Sequence, residues 1–425
     1  MKKYFMSVAA LAGMMSLAAC SSDDIVSPAD NDVQTIKIAV ASTGDKSTRS
    51  RDLNSEEPGQ NIESVAVVIR DKANNVVYHK IITDWQTASN LYTDNGHGRE
   101  YTLKLEKDQR LNAGEYTITA VGYTAGDFKS NTIVDATKGN VAAGNFTAEV
   151  ADGKAAQEAF AGESSIKLLE DHEGINPSVT LHRQVAGYYG YFTSIPVEVN
   201  SKKVTNVRLV ARSKNTKLTY GNFNSNFTTT NSDIMYVVNG SEPATTKDAK
   251  FNGSADNDAY TVYNIKVDDW FTKGDTNKDG ILDEKDALTE GGWTNALAKK
   301  GYLTYQPGTI FAGGFAVPFA ATDAATLELQ LLDASGEILK SWTVEMATAQ
   351  SAGQDVEKAA LPVAETTQNF SFFRNHMYTL GKKVDNTDKP GTTTPDQPEP
   401  LDKSQSMILR VNDNWEVINR MTIGD

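Results

Sequence analysis

The sequence predicts a mostly-β protein made of stacked antiparallel sheets, and three of its features support this class. Apolar and polar residues alternate with a period of two over long stretches, as they do in half-buried strands. These stretches are separated by turns rich in Gly, Asn and Asp. Helical periodicity is confined to short stretches, notably residues 152–160 and 286–300. Because each sheet has one apolar face to bury, we expect β-sandwich domains.

The predicted strands can be followed from one end of the chain to the other. The first lies at residues 34–41, before a polar loop, and the next begins near Val65. Further strands follow Gly114 and flank the turn at residues 333–336. The apolar positions of these strands include Ile36, Ile38 and Val40; Val65, Val67 and Ile69; Tyr116, Ile118 and Ala120; and Leu327, Leu329 and Leu331.

Composition and motifs argue against several classes of function. The chain has 41 Lys and Arg against 55 Asp and Glu, a net charge of -14, which is unfavourable for binding nucleic acid. Its single cysteine, Cys20, rules out internal disulfides and thiolate zinc clusters. The sequence contains no HExxH, GxSxG, GxGxxG or P-loop motif, and its 5 histidines stand singly. We therefore expect no enzyme, although a carboxylate pair brought together only by folding stays open.

The amino terminus predicts export and lipidation. Lysines precede an apolar run at residues 4–19, and small residues lead from it to Cys20. This pattern is typical of a lipoprotein signal peptide, after which Cys20 becomes the palmitate-bearing N-terminus. The alternatives are a plain secretory signal and a membrane anchor, for which the run is short. Residues 21–24, Ser-Ser-Asp-Asp, resemble the signal that sends lipoproteins of Bacteroidia to the outer cell surface.

The carboxyl end combines a linker with a long amphipathic strand. Residues 385–404 are rich in Pro, Thr, Asp and Gly, which predicts an extended, solvated linker. In residues 405–425 the apolar side chains fall mainly on odd positions. On such a tether the strand could pair with another molecule, or it could fold back as the last strand of its own domain. The apolar positions are Met407, Leu409, Val411, Trp415, Val417, Met421 and Ile423.

A polar loop after the first strand is a candidate protease site. Residues 42–61 carry Arg49, followed by Ser50, and Arg51, followed by the less favourable Asp52. Cleavage by a trypsin-like protease would free the first strand and leave an apolar groove bordered by unpaired backbone groups. An incoming strand could fill that groove by β-augmentation. The alternative is an ordinary exposed loop that contains these arginines by chance.

The order of these features resembles a pilin of the fimbrillin family, the major-subunit type of the type V pili of Bacteroidia. The lipobox at Cys20, the first strand and the Arg-containing loop occur in the family's order. Residues 179–186 are similar to the segment that joins the family's domains, and residues 374–380 to the motif that opens its last domain strand. Leu409-Arg410-Val411 and Trp415-Glu416-Val417 match its C-terminal appendage.

The resemblance implies a structural function. It assigns Cys20 to lipidation of an outer-membrane precursor, and Arg49 or Arg51 to cleavage by an Arg-specific protease. The groove left by the first strand would then receive the C-terminal strand of another copy, or of a related pilin, by donor-strand exchange. The polymer would be a cell-surface fimbrium that supports adhesion. The residues assigned to polymerisation are Leu409, Val411, Trp415 and Val417.

Residues 275–286 match a calcium-binding loop of the EF-hand or dockerin type. Oxygen-bearing side chains stand at loop positions 1, 3, 5, 9 and 12, with Gly at position 6 and an apolar residue at position 8. Position 12 has the shorter Asp in place of the usual Glu, which weakens the expected closure around the ion. We expect a structural ion, and the alternative is a solvated Asp-rich turn. The expected ligands are Asp275, Asn277, Asp279, the carbonyl of Ile281, Asp283 through water, and Asp286.

The resemblance further implies two transthyretin-like β-sandwich domains and a C-terminal donor strand, in agreement with the periodicity. The expected segments are a signal peptide at 1–19, a lipidated segment with the removable first strand at 20–49, an N-terminal sandwich at 50–186, a C-terminal sandwich with the calcium-loop insertion at 187–384, a linker at 385–404 and the donor strand at 405–425.

Other functions stay open at this point. A pilus anchor of the same family would keep its lipidated N-terminus uncut, and a tip adhesin would carry an elaborated ligand-binding domain. A glycan-binding surface lipoprotein would instead stay monomeric and use exposed aromatic side chains. Tyr188, Tyr189, Tyr191 and Phe192 could form such a platform, although an aromatic strand at a domain junction is more often core. Cleavage state, polymerisation and glycan binding separate these functions.

Overall fold

The computed structural model describes the fold over most of the predicted strands. The described residues are 33–40, 42–43, 62–91, 99–142, 145–151, 156–211, 217–220, 261–288, 306–318, 327–346, 374, 377–381, 398–402, 407–412 and 416–417.

The first half of the chain forms strands β1 to β11. Helix α1 spans Trp85–Ala88, and a 3-10 turn spans Lys107–Gln109. The strands are β1 (Gln34–Val40), β2 (Ser42–Thr43), β3 (Ser64–Asp71), β4 (Val76–Ile82), β5 (Asn90–Leu91), β6 (Arg99–Leu105), β7 (Gly114–Tyr123), β8 (Phe128–Asn131), β9 (Thr147–Val150), β10 (Phe160–Leu168) and β11 (Ser178–Arg183).

The second half forms strands β12 to β26. Helix α2 spans Glu284–Leu288, and a 3-10 turn spans Val267–Asp269. The strands are β12 (Ala186–Thr193), β13 (Ile195–Pro196), β14 (Glu198–Val199), β15 (Lys202–Lys203), β16 (Asn206–Ala211), β17 (Lys217–Thr219), β18 (Thr261–Lys266), β19 (Ile281–Leu282), β20 (Thr309–Ala316), β21 (Leu327–Leu332), β22 (Ile338–Met346), β23 (Met377–Leu380), β24 (Glu399–Pro400), β25 (Met407–Asn412) and β26 (Glu416–Val417).

The N-terminal half is built on a sheet that folds over on itself, in the order β4-β3-β7-β10-β11-β1-β6-β5. β10 pairs with β7 along its whole length, whereas only Phe160 and Ala161 of β10 pair with β11. Just beyond this corner, a Cβ atom on Gly162 would lie 2.0 Å from the carbonyl oxygen of Thr180, so only glycine fits. The two parts of the sheet therefore stack as the layers of a sandwich.

Alternate residues of both layers fill the core between them. One layer contributes side chains of β1, β6 and β11, and the other contributes those of β3, β4, β7 and β10. Trp85 of α1 is also fully buried here. The period-two pattern thus reports the inward face of each strand. The buried side chains include Ile36, Ile38, Val40, Val65, Val67, Ile69, Leu103, Leu105, Ile118, Val179 and Leu181.

The C-terminal half is built on a second large sheet, in the order β18-β16-β21-β22-β25-β23-β12-β20. β24 pairs with the end of β12. The core on this sheet is rich in aromatic side chains, and Trp270 packs edge-on against Phe311 with ring centroids 4.8 Å apart. Its buried members include Tyr188, Tyr191, Phe192, Leu209, Ile265, Phe271, Leu329, Leu331 and Trp342.

A small sheet of β8, β9 and β17 joins the two halves. β17, from the C-terminal half, pairs with β9, so that Leu218 lies opposite Ala148. Leu218 and Tyr220 are buried in a third apolar cluster together with Val150 and Phe146. The two halves are therefore connected by strand pairing as well as by the chain between β11 and β12.

The expected mostly-β class with stacked sheets is confirmed. Most neighbouring strands are antiparallel, but the pairs β1–β11, β12–β23, β12–β24 and β22–β25 are parallel. Side chains alternate in the same way in both kinds of pairing, so periodicity could not reveal strand direction. Each parallel pair joins strands that are far apart in sequence, because parallel pairing needs a long connection.

The predicted helical stretches are only partly present. Helix α2 covers the start of the stretch at 286–300, whose remaining residues lie outside the described ones. The prediction for 152–160 is wrong over its described part, where Ala156 bridges to Phe315 and β10 begins at Phe160. Burial and pairing with the rest of the fold outweigh the helix propensity of this stretch. Within the described part of the chain, no helix has the length and apolar character needed to cross a membrane.

Candidate assembly site

β1 is an inner strand of the N-terminal sheet. All 7 of its residues pair antiparallel with β6, from Gln34 opposite Leu105 to Val40 opposite Arg99. On its other edge β1 runs parallel to β11. Because an inner strand is hydrogen-bonded along both edges, its removal would leave two strands with unpaired backbone groups.

The two faces of β1 have different surroundings. Ile36, Ile38 and Val40 are fully buried in the sandwich core. On the outer face, the Lys37 ammonium lies 3.1 Å from a carboxylate oxygen of Glu100 on β6. This ion pair is partly exposed, so its contribution to stability is small, but it favours this register of the strand.

A buried glutamine anchors the start of β1. The side-chain amide of Gln34 donates hydrogen bonds to the carbonyl oxygens of Leu111, at 3.0 Å, and Glu173, at 2.9 Å. Its side-chain oxygen accepts the backbone N–H of Leu111 at 2.6 Å. The neighbouring Thr35 hydroxyl donates to the carbonyl oxygen of Ile175 at 3.2 Å. The first two positions of β1 are therefore held by polar contacts and the following ones by apolar packing.

Gln34 and Glu100 are not among the site residues that the sequence predicts. Gln34 lies on the same buried face of β1 as Ile36 and Ile38. A polar residue at an inward position of an apolar alternation is a sequence signal for a specific buried partner. Glu100 carries no such signal, because its pairing depends on which residue lies opposite it in the sheet.

The predicted lipid and cleavage sites, Cys20, Arg49 and Arg51, lie outside the described residues. The chain that leaves β1 forms β2, and β2 pairs antiparallel with β26. The segment that follows β1 is therefore paired with residues 416–417 of the C-terminal tail.

The predicted donor strand occupies the C-terminal sheet of its own chain. β25 runs parallel to β22 and antiparallel to β23, and both Leu409 and Val411 take part in this pairing. Val417 belongs to β26, and Trp415 lies outside the described residues. The single chain thus has the folded-back arrangement, which is one of the two alternatives that the sequence left open.

β1 and β25 have equivalent backbone surroundings. Each is an inner strand with one parallel and one antiparallel neighbour. The position of β1 requires a strand that can pair in both ways at once. β25 already does so in its own sheet.

The two internal motifs of the sequence meet at the junction of the halves. Arg374 donates to the side-chain oxygen of Gln184 at 3.0 Å. Next to Gln184, the fully buried Arg183 donates two hydrogen bonds to Oε1 of Glu158, at 3.2 and 3.1 Å. The guanidinium of Arg183 also lies 4.9 Å from the centroid of the Phe160 ring. These buried polar contacts hold β11 at the point where it leads into β12.

The predicted calcium loop folds as a set of tight turns closed by its own carboxylates. Gly280, at loop position 6, has φ +86°, a conformation that favours glycine. Asp275 accepts the N–H of Gly280 at 2.8 Å. Asp286 is fully buried and accepts the N–H groups of Thr276, at 2.8 Å, and Asp283, at 3.1 Å. The position-12 carboxylate thus closes the loop by binding its backbone.

A lysine supplies positive charge to this loop. Nζ of Lys285 lies 2.7 Å from Oδ2 of Asp279 and 3.7 Å from Oδ2 of Asp283. The hydrogen bond from Lys285 lowers the pKa of Asp279, and the same bond, with the charge of Asp283, raises the pKa of Lys285. Asn277 accepts the N–H of Asp279 at 2.9 Å, and Asp279 in turn accepts that of Ile281 at 3.1 Å. In the described part of the chain, no three His, Cys, Asp or Glu side chains lie together as a metal site would require.

The loop is fastened to the C-terminal half by strand pairing and close packing. β19, inside the loop, pairs with β13, and Leu282 of β19 is buried in the core of this half. Gly308, with φ +77°, packs so closely that a Cβ atom would lie 2.2 Å from the backbone nitrogen of Glu284. The residue types of the loop fit a hard cation, and the loop itself is a fixed part of the fold.

The aromatic residues of β12 form core rather than a surface platform. Tyr188, Tyr191 and Phe192 are fully buried, and Tyr189 is 5% exposed. Burial raises the pKa of Tyr188 well above its usual value. These rings are therefore not available to stack on a glycan.

Comparisons with known proteins find similarity only among solved structures. No protein-family model matches the chain, and no curated protein matches it. A fimbrial assembly protein from Parabacteroides distasonis has 14% identity and a TM-score of 0.37, covering 83% of this chain and 92% of its own. A cell-adhesion candidate from the same species has 9% identity and a TM-score of 0.43, covering 90% and 96%. The fimbrial anchor protein Mfa2 from Porphyromonas gingivalis has 12% identity and a TM-score of 0.34, covering 82% and 90%.

Proposed function

We propose that this protein is a subunit of a cell-surface fimbria of the fimbrillin type, assembled by exchange of β1 for the C-terminal strand of another copy. The observation that carries the proposal is the placement of β1. It is an inner strand with a fully buried apolar face, and the segment that follows it carries Arg49 and Arg51. Cleavage there would convert a complete sandwich into one with an open slot. This slot is the space between β6 and β11 that β1 occupies.

An open slot at the position of β1 would be strongly unfavourable. Burial of Ile36, Ile38 and Val40 stabilises the sandwich by about 1.5–3 kcal/mol for each side chain. The backbone groups that β6 and β11 turn toward β1 would also lose their partners, at about 1 kcal/mol for each hydrogen bond. A second strand with the same alternation would recover most of this free energy, which is the driving force for assembly.

The donor in this proposal is the tail of a second copy. In the single chain β25 lies between β22 and β23, so it must leave that sheet before it can enter another molecule. The folded-back arrangement then keeps uncut copies monomeric. Cys20 would hold the precursor at the outer membrane through its lipid, and cleavage at Arg49 or Arg51 would release the subunit into the growing fibre. The product is a scaffold for adhesion, and no catalytic step is required.

We also propose that Ca2+ binds the loop at residues 275–286 and has a structural role. The support is the donor chemistry and the turn geometry, with Gly280 in the conformation that a calcium loop needs at its sixth position. Asp279 and Asp283 already share one positive charge, that of Lys285. A bound ion would take the place of this ammonium and bring the carboxylates together around it.

The test of the fimbrial function is N-terminal sequencing and native electrophoresis of protein sheared from cells, with and without inhibition of Arg-specific proteases. The proposal predicts a ladder of multimers that begin at Ser50 or Asp52 and disappear on inhibition. A lipidated monomer that begins at Cys20 would contradict the stalk role and would favour an anchor or a monomeric surface lipoprotein.

A pair of loop variants makes this test specific. Replacing both Arg49 and Arg51 by alanine should abolish the ladder. Lys46→Ala removes a positive charge from the same loop without removing a cleavage site, so it should leave the ladder unchanged. If the double arginine variant still assembles with an intact N-terminus, assembly does not depend on removal of β1.

A further inference from the structure

The slot of β1 is selective at its first position because buried polar groups line it there. Gln34 satisfies both backbone groups of Leu111 and the carbonyl oxygen of Glu173. Leu111 is itself buried, so water cannot readily take over these contacts. The carbonyl oxygen of Leu111 also accepts the N–H of His172 at 3.0 Å. Once β1 is gone, an incoming strand without an amide at this position would therefore leave the buried N–H of Leu111 unpaired, which is costly.

The C-terminal tail carries the residue types of β1 in the same order. Residues 405–411 read Gln-Ser-Met-Ile-Leu-Arg-Val, and β1 reads Gln-Thr-Ile-Lys-Ile-Ala-Val. An amide comes first, a hydroxyl second, and apolar side chains follow at every other position. The inward positions of the two segments correspond as Gln405 to Gln34, Met407 to Ile36, Leu409 to Ile38 and Val411 to Val40.

The outer face of the slot is also complementary to the tail in this alignment. Ala39 lies opposite Glu100 of β6. In the aligned tail Arg410 takes the place of Ala39. Its guanidinium would therefore face the carboxylate of Glu100, which now lies 3.1 Å from the ammonium of Lys37. Directly opposed residues of opposite charge stabilise a strand pair.

We propose that residues 405–411 of a second copy replace Gln34–Val40 residue for residue, with Gln405 in the amide site of Gln34 setting the register. This inference rests on the proposed strand exchange and specifies how the two chains are aligned. Registers shifted by one or two residues are poorer. A shift by one residue would turn Ile408 and Arg410 toward the core.

Shifts by two residues keep the alternation but fail at the ends of the slot. A shift in one direction places Met407 at the amide site and Asp413 at the buried position of Val40. A shift in the other direction places Lys403 at the amide site and Gln405 in the core position of Ile36. Each of these shifts places a charged side chain at a buried position and leaves the N–H of Leu111 without its amide partner.

The register can be measured by disulfide trapping in fimbriae on cells. Thr102 of β6 is exposed and lies opposite Lys37, so the proposal places Ile408 of the second copy opposite Thr102. Facing residues on neighbouring strands lie within the distance that a disulfide spans. The natural Cys20 is lost on cleavage, so engineered cysteines would be the only thiols.

Three variants that carry Thr102→Cys should be compared, each with a second cysteine at Ile408, Arg410 or Ser406. The proposal predicts a reducible covalent ladder for the Ile408→Cys variant, with at least tenfold less cross-linking in the other two. A ladder mainly from Arg410→Cys or Ser406→Cys would overturn the register while leaving strand exchange intact. Fibres without cross-links in any variant would also overturn it. If cells with unaltered Thr102 form no multimers, the proposed function itself fails, and not only the register.

A second pair of variants tests Gln405 itself. Gln405→Ala should lower the yield of multimers about tenfold or move the cross-link away from Ile408, because the amide site is then unfilled. Gln397→Ala, in the preceding linker, removes the same side chain outside the aligned segment and should have no effect. Equal yields and the same cross-link from both variants would show that Gln405 does not set the register.

Discussion

Single buried polar residues hold this fold together at the places where its parts meet. Arg183 and Glu158 are the clearest case, since their side chains are 0% and 1% exposed and hydrogen-bond to each other. Removing one partner of a buried ion pair leaves the other charge without compensation.

We therefore expect Glu158→Ala to lower the free energy of unfolding by about 3–5 kcal/mol, measured by urea denaturation of the purified chain. The double variant Glu158→Leu with Arg183→Met removes both charges and should recover most of the loss. If the single and double variants were equally unstable, the effect would come from lost packing rather than from the unpaired charge.

The calcium loop makes a second prediction at the scale of residues. Addition of Ca2+ should raise the melting temperature by an amount that grows with the ion concentration. The added free energy of unfolding should reach about 2.7 kcal/mol at one hundred times the dissociation constant. Asp275→Ala should abolish the shift, and Glu284→Ala, at a position of the loop that is not an expected ligand, should not. Lys285→Met should increase the affinity, because it removes the competing ammonium from Asp279.

An unchanged melting temperature across a calcium titration, or the same shift in Asp275→Ala as in the unaltered chain, would contradict the calcium proposal. Either result would leave the loop as a turn held by its own hydrogen bonds. Those bonds, such as that from Gly280 to Asp275 at 2.8 Å, do not require an ion.

At the scale of elements, the tail strand should tolerate a charge on one face and not on the other. In the proposed register Leu409 replaces the fully buried Ile38, whereas Ile408 replaces the partly exposed Lys37. Leu409→Asp should therefore prevent fibre growth, and Ile408→Asp should reduce it only modestly. Electron microscopy of fibres and circular dichroism of the monomers together separate an assembly defect from misfolding.

Trp415→Asp is expected to act in the same direction as Leu409→Asp, since both fall on the odd face of the tail. Fibres of normal length from either variant would contradict the donor role of this strand. Deletion of residues 407–425 is a less selective test than these substitutions. It would also remove β25 from between β22 and β23, and so damage the C-terminal sheet of the same chain.

At the scale of the whole molecule, buried tyrosines in both halves make the fold sensitive to alkaline pH. Burial raises the pKa of Tyr78, in the N-terminal half, to about 12, and raises those of Tyr188 and Tyr263 well above their usual value. Below about pH 10 these groups are protonated in both states and contribute no pH dependence. Above that pH the unfolded chain loses protons first, so stability falls as pH rises.

We expect base-induced unfolding to begin near pH 10 and to be followed by tyrosinate absorbance and circular dichroism. Tyr78→Phe should reduce the pH dependence between about pH 10 and 12, by up to about 1.4 kcal/mol per pH unit. If the free energy of unfolding is constant from pH 9 to 12, the tyrosine hydroxyls are not as buried as they are in this structure.

The sequence predicted the class of fold and the positions of many strands because one apolar face per strand leaves a period-two signal. It could not predict that β1 and β25 are inner strands with one parallel neighbour, since strand order depends on contacts between distant segments. It also could not show that the tail folds back in the single chain. Apolar alternation alone does not identify Gln34, because this residue is a polar exception at an inward position of the strand.

The measurement that tests strand exchange most directly is native mass spectrometry of the full chain after cleavage with an Arg-specific protease. The protease is inactivated before an excess of a peptide of residues 405–425 is added, because the peptide contains Arg410 and Arg420. The peptide should displace the N-terminal fragment that contains β1, so that the folded protein loses one fragment and gains one peptide. A peptide with Gln405→Ala and Leu409→Asp serves as the control. If the cleaved protein stays folded, keeps its β1 fragment and binds no peptide, the tail is not the strand that fills this slot.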